Sequence, residues 1–306
     1  MKHSFLHTVI CFVALVLFAL SCSESENLNP EETPTSGIAK VFCEEGFSVP
    51  MKIQAYTFEE IYPRAKAQIK YVNEKQALEG FYNDCCKVMV ISRALTEDEL
   101  KKFKAANIYT KQTFIAKNAL AFVTAKASGD SVLSVEKIKM LLSGQDTSYK
   151  MVFDNQNSGV ARYLKDSVLQ GKEFGKNCYA VKNTEELVTR TATLKNVIGI
   201  MDYAWISDKD ETISKQILAK IRPLAISIKE KETAWYPDQS NIETRDYPFC
   251  RYVYIVQRGG DFSPGAGFIA FVAGQKGQLM LLKSGLVPAF RQERLIEINT
   301  APLGSQ

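Results

Sequence analysis

The chain has 306 residues, 24% of them charged, and a formal net charge of +4; with no Lys/Arg block, that balance points away from nucleic acid and from a polybasic membrane patch. Its two histidines, His3 and His7, lie at the extreme N-terminus, so the rest of the protein lacks the imidazole that Ser-His, Cys-His and imidazole-metal sites need. Five of the seven cysteines lie beyond the leader, Cys43, Cys85, Cys86, Cys178 and Cys250; an odd set without CxxC spacing is neither a disulfide framework nor a zinc ribbon and reads as small buried thiols.

In chain order, MKHSFLHTVICFVALVLFALSC carries one Lys, an apolar run over 9–20, and small residues before Cys22. The run is short for a membrane span and has the three-part build of a secretory signal. ALSC resembles the lipobox of bacterial lipoproteins, which implies cleavage before Cys22 and lipidation of that residue; a cleaved soluble signal or an uncleaved anchor is the alternative. SESENLNPEETPTSG is acidic, Pro-containing and without apolar periodicity, so 23–37 reads as a flexible tether. Its SESE also resembles the acidic signals that send some lipoproteins to the cell surface. The globular part is expected from Ile38, with no second long apolar run to span a membrane.

Strands and helices then alternate. AKVF reads as a strand, CEEGFSVP leads into a helix through Glu59, and IYPRAKAQIKYV gives a turn and a second strand. EKQALEGFYN is a helix, KVMVIS a buried-type strand, and TEDEL opens a helix with a Thr96–Glu99 capping box. FIAKNALAFVTA is strand-like, and SVEKIKMLLSG is a helix ended by Gly144. After KMVF, the stretch FDNQNSGVARYL places Ser158 as an N-cap ahead of Val160, Tyr163, Leu164 and Val168 at helical spacing. NCYAV is a strand, NTEELVTRTATL a helix boxed by Asn183 and Glu186, and NVIGIMDYAWIS, RPLAISI and YPFCRYVYIVQ are strands. GFIAFVAGQKGQLMLLKSGLVPAF reads as a helix, a Gly-containing break, a helix ended by Gly285 and a last strand. The pattern predicts an α/β fold with mostly parallel sheets and no repeat architecture.

The Ser158-Gly159 step has two readings. A helix start offers unpaired N–H groups that suit an anion, and Ser at an N-cap also simply binds its own helix. Arg162, one turn in, opposes the helix dipole unless an anion compensates it; that anion is either a ligand or Asp154.

Several segments, in order, resemble the phosphate-type substrate-binding proteins of ABC transporters, in the variant of Bacteroidetes-type lipoproteins. They are VISRAL with Ser92 and Arg93, the Ser158-Gly159-Val160 step, IGIMDYAW, YPFCRYVYIV, and the C-terminal stretch with Gly277, Gln278, Gly285, Val287 and Pro288. The resemblance implies a two-lobed periplasmic-binding-protein fold of the type II, venus-flytrap kind. Lobe one would comprise 38–117 plus 253–306 and lobe two 118–252, with crossings near KNALAF and CRYVYI. It also implies a ligand-binding set of Gly46, Phe47, Asn73, Ser92, Arg93, Ser158, Gly159, Val160 and Arg162, with no catalytic residue, metal or cofactor. Gly46 lacks the family's hydroxyl, Glu74 follows Asn73, and Asp154 stands where some members carry an arginine.

The function implied is capture of an oxyanion, inorganic phosphate first, by a lipid-anchored protein of the cell envelope facing the periplasm or the cell surface. An ABC permease or a sensing system would be its partner. A flytrap-fold interaction lipoprotein that has lost phosphate is the alternative, favoured by Asp154, Glu74 and Gly46. An enzyme built on Cys43 or the Cys85-Cys86 pair would need Lys or a carboxylate as its activating base, and the expectation is a protein without enzymatic activity.

Overall fold

The computed structural model describes residues 32–290; the signal, Cys22 and most of the tether lie outside the described residues. The first half of the chain builds a parallel trio. β1 (Gly37–Glu44) lies between β2 (Ala65–Val72) and β3 (Val88–Ile91), linked by α1 (Ser48–Ile61) and α2 (Glu74–Tyr82), with α3 (Glu97–Ala105) following β3. A second trio sets β6 (Lys150–Phe153) between β7 (Cys178–Ala180) and β8 (Val197–Asp202), again parallel, with α4 (Val135–Ser143), α5 (Gly159–Tyr163) and α6 (Thr184–Thr193) around it.

Two strands join the trios. β4 (Thr110–Ala125) and β12 (Cys250–Arg258) pair antiparallel; β12 then pairs antiparallel with β3, and β4 with β8. The sheet is therefore parallel at both ends and antiparallel in the middle, which corrects the expectation of mostly parallel pairing. A parallel neighbour needs a crossover connection, whereas a strand running from one half to the other and back meets its return strand antiparallel.

The remaining elements brace this frame. RPLAISI, expected as one strand, is two. β9 (Ile221–Pro223) pairs with β4, and β10 (Ala225–Ser227) lies between β5 (Val132–Ser134) and β11 (Ala234–Trp235) in a separate small sheet. NVIGIMDYAWIS keeps strand form only to Asp202 before the 3-10 turn Tyr203–Trp205. α7 (Thr212–Lys220) and α8 (Gln239–Thr244) went unread in the sequence. α9 (Pro264–Ala273) stops at Gly274, α10 (Gln275–Lys283) runs to the turn at Gly285, whose φ of 80° suits glycine, and β13 (Val287–Pro288) closes onto β4. Among the described residues no helix is long and apolar enough to cross a membrane.

Capping follows the side chains. Thr96 and Glu99 exchange bonds in a full box, and Gly144 ends α4 at a φ of 77°. At α6, Asn183 accepts from the Glu186 N–H, but the Glu186 carboxylate takes the N–H of Lys182 instead of returning to Asn183.

The core changes hands along the two joining strands. Ile115 and Ala116 on β4 and Val253 and Ile255 on β12 pack with β1, β3 and α9, whereas Ala119 to Val123 pack with β6, β8 and α6. Between these runs stand Asn118 and Arg251, both buried and directly opposite each other in the ladder. Among the described residues only Cys43 and Cys86 are buried thiols; Cys85 is exposed, and Cys178 and Cys250 are half-buried.

Candidate functional site

Five strands end on one seam. Glu44 closes β1, Asn73-Glu74 follows β2, Ser92-Arg93 follows β3, Asp154 follows β6, and Asp202 closes β8. Carboxyl ends of parallel strands are where α/β folds place ligands, and here both trios deliver theirs to the same cleft. Glu44, Glu45, Glu74, Asp154 and Asp202 line it with Asn73, Asn155, Ser158 and Gly159, around a cavity of about 10 Å³, about the room one water needs.

The charges are closely knit. Glu74, buried at the first turn of α2, takes the Arg93 Nε–H at 2.9 Å and the Arg162 Nε–H at 2.8 Å. Arg93 also clasps Glu99 with both Nη atoms, at 2.6 and 2.7 Å. Burial works against the Arg93 charge, but the bonds to Glu99 and Glu74 outweigh it and hold its pKa above the ordinary arginine value. Glu44 accepts from the Ser92 N–H at 2.8 Å and the Ser92 hydroxyl at 3.1 Å. Burial, with Glu74 close by, pushes its carboxyl up to about 7 against the pull of Arg251.

Arg251 is the buried cation of the second half. It pairs with Asp202, reaches Ser92 Oγ at 3.1 Å, and lies over the Tyr163 ring. Asn118 donates to the same Asp202 oxygen at 2.9 Å. Asp154 has a hydroxyl partner, Ser158, at 2.6 Å, and burial pushes its carboxyl up to about 7 despite that bond.

Of the expected residues, Ser158 is an N-cap with φ −81° and ψ 161°, its Oγ taking the Ala161 N–H at 3.1 Å. The helix it opens is α-helical only to Tyr163 and continues as a π turn over Leu164–Val168. Arg162 pairs with Glu74 and, at 3.8 Å, with Asp166; Asp154 is not its partner. Asn73 uses its side-chain oxygen to cap α2. The side chains of Phe47 and Val160 are fully buried in apolar clusters, so any contact they make with a ligand would come from their backbone. Gly46 and Gly159 meet carboxylates instead. A Cβ on Gly159 would stand 2.5 Å from Glu44 Oε2 and Ser92 Oγ and 2.9 Å from Glu74 Oε2, and one on Gly46 would strike Asp202.

Glu44, Asp202 and Arg251 are the site residues that sequence reasoning missed. Two stood in segments already singled out, Asp202 in IGIMDYAW and Arg251 in YPFCRYVYIV. Cys43 makes a poor nucleophile, since burial, with Glu44 adjacent, pushes its thiol well above the usual value. Among the described residues no cluster of acid, Cys or His side chains is placed to hold a metal ion.

A seam of strand ends between two cores, spanned by two strands, defines the class of two-lobed binding proteins. Residues 29–276 match the PBP superfamily domain, and the chain belongs to that superfamily. The phosphate-binding protein PstS of Borreliella burgdorferi is 22% identical over 228 residues, which cover 69% of this chain and 75% of that protein. A Clostridium perfringens protein, described as a phosphate ABC transporter substrate-binding protein and solved with bound phosphate, superposes with a TM-score of 0.69 at 17% identity, over 83% of this chain and all of that one. An ABC-type phosphate transport receptor from Vibrio cholerae gives 0.62 at 15% identity, covering 82% of this chain and 100% of its own. These relatives share the mixed α/β two-lobed architecture.

Proposed function

We propose that the chain is a non-catalytic binding protein of the bacterial cell envelope, anchored through Cys22, whose cleft is occupied by its own carboxylates where a relative would hold phosphate. Lobe one is taken as 38–117 plus 253–306 and lobe two as 118–252. The observation that carries this reading is the pair of oxygens from Glu44 and Glu74 standing over Gly159, the start of the helix that would receive the anion. Five carboxylates line the cleft, against Arg93, Arg162 and Arg251 around it, and Arg93 is shared with Glu99. A dianion entering that environment meets net repulsion and a cavity far smaller than itself.

A second reading keeps the oxyanion, phosphate first, delivered to an ABC permease or sensed. It is favoured by the convergence of those arginines with Ser92 and Ser158, and by the phosphate-binding relatives. On this reading the ligand displaces Glu74 from the arginines when the lobes part.

Calorimetric titration of the full chain with phosphate, with sulfate as control, separates the two. The first reading expects no heat and no thermal shift up to millimolar phosphate in the native chain. It also expects measurable phosphate binding in Glu74→Gln, where the competing charge is gone. Micromolar binding to the native chain, selective over sulfate, would establish the second reading and overturn the first.

A further inference from the structure

We infer that the cleft is latched shut without any ligand, with Glu74 acting as a built-in occupant that bridges an arginine from each lobe. The inference rests on the two-lobed reading above and adds a resting state to it.

Glu74 belongs to the first half of the cleft and Arg162 to the second, and the two are joined at 2.8 Å with the carboxylate buried. Arg93 holds the same carboxylate from its own side at 2.9 Å. Other bonds close the seam beside it. The Lys75 N–H donates to the Asn157 carbonyl at 3.3 Å, and Arg251 reaches from the joining strand to Ser92 at 3.1 Å. Two glycines allow the close approach, Gly46 beneath Asp202 and Gly159 beneath Glu44, Ser92 and Glu74. A Cβ at either position would force these opposing side chains to shift.

A flytrap closes on a ligand because the ligand binds the closed form better than the open one. Here a tethered carboxylate supplies that preference, and tethering gives it a high effective concentration. Burial makes the contact hard to break by salt, which screens exposed charges far more than buried ones. A ligand from solution therefore competes with Glu74, and its apparent affinity falls by the fraction of molecules that are open. The latch sets a threshold for whatever the cleft receives.

The test is hydrogen exchange with small-angle scattering on the ligand-free full-length chain, native and as Glu74→Gln, Arg162→Gln and Gly159→Ala. The native chain should be compact, with slow exchange at the amides of 73–76 and 157–163. Glu74→Gln and Arg162→Gln should speed exchange there on the order of tenfold and expand the particle, with β1, β3, β6 and β8 still protected. Gly159→Ala removes no charge and instead crowds Glu44, Ser92 and Glu74 by bulk, so it tests by wedging, not by charge removal, whether a hinge exists. If Gly159→Ala expands and both ion-pair variants stay compact, the hinge stands and the latch is overturned. If none of the three expands, the two-lobed hinge reading fails together with the latch. A native chain already as expanded as Gly159→Ala would also overturn it.

Discussion

The two halves of the cleft are mounted alike, on the carboxyl ends of parallel strands, yet they fix their charges by different means. In the first half Glu74 and Arg93 neutralise each other locally, and Glu99, held in the cap of α3, steadies the arginine. In the second half Asp202 depends on Arg251 and Asn118 from the joining strands, and Asp154 has Ser158. A local pair is robust to movement between the halves, whereas a charge partnered by the joining strands ties the site to the hinge. The first half therefore couples to the second directly, through Glu74 and Arg162, whereas the second half couples through the joining strands.

The sharpest break of that asymmetry is Arg251→Ala. It leaves Asp202 buried without its cation and removes a counter-charge from Glu44, and losing one partner of a buried pair costs about 3–5 kcal/mol. Urea unfolding should show that loss, with a smaller one for Arg162→Gln, whose side chain is 27% exposed and can relax into water. Equal losses would mean that Arg251 is no more central than a cation at the cleft mouth.

The next effect is in pH. Glu44 and Asp154 have folded pKa values raised to about 7 from 4.5 and 3.8. Between those limits the folded chain holds protons that the unfolded chain releases, so their contribution is full at low pH and is lost as pH rises toward 8. Stability should fall from pH 5 to pH 8, and Asp154→Asn should flatten part of that slope. At pH 8 the variant should gain roughly 1–3 kcal/mol, and at pH 5 almost nothing. An unchanged slope would place Asp154 in water.

Much of the frame was legible because its signals are local. Apolar periodicity, the Thr96 and Ser158 caps and the glycines at 144 and 285 each specify an element from a few neighbouring residues. The cleft was legible only where a motif pointed at it. Ser158 caps its helix as its spacing predicts, but the anion beside Arg162, expected to be a ligand or Asp154 eight residues away, is Glu74, 88 residues away. Glu44 and Asp202 carry no local signal that sets them apart from the mostly exposed acids of other chains. What buries them is the meeting of two strand-end surfaces, and no stretch of sequence records that meeting. The reversal in the middle of the sheet was hidden for the same reason, because β4 and β12 read as strands whichever way their neighbours run.

The smallest effect compares the two caps that hold charge at the cleft. Thr96→Ala removes the bond to the Glu99 N–H and loosens the residue that clasps Arg93. Ser158→Ala removes the cap of α5 and also the hydroxyl that serves Asp154. Each should cost about 0.5–2 kcal/mol as a lost cap, but the two should differ in their dependence on pH. With Ser158 gone, the Asp154 carboxylate loses a bond that favours its charged form, so its pKa rises further and the penalty grows above pH 7. The Thr96→Ala penalty should stay level from pH 5 to 8, because the Glu99 carboxyl is held below its ordinary value, where Arg93 outbids burial, and is already ionised throughout that range. Unfolding curves for both variants at pH 5.5 and 8 decide it. Parallel penalties would mean that the Ser158 hydroxyl serves only its helix, and that the second half of the cleft holds Asp154 by packing alone.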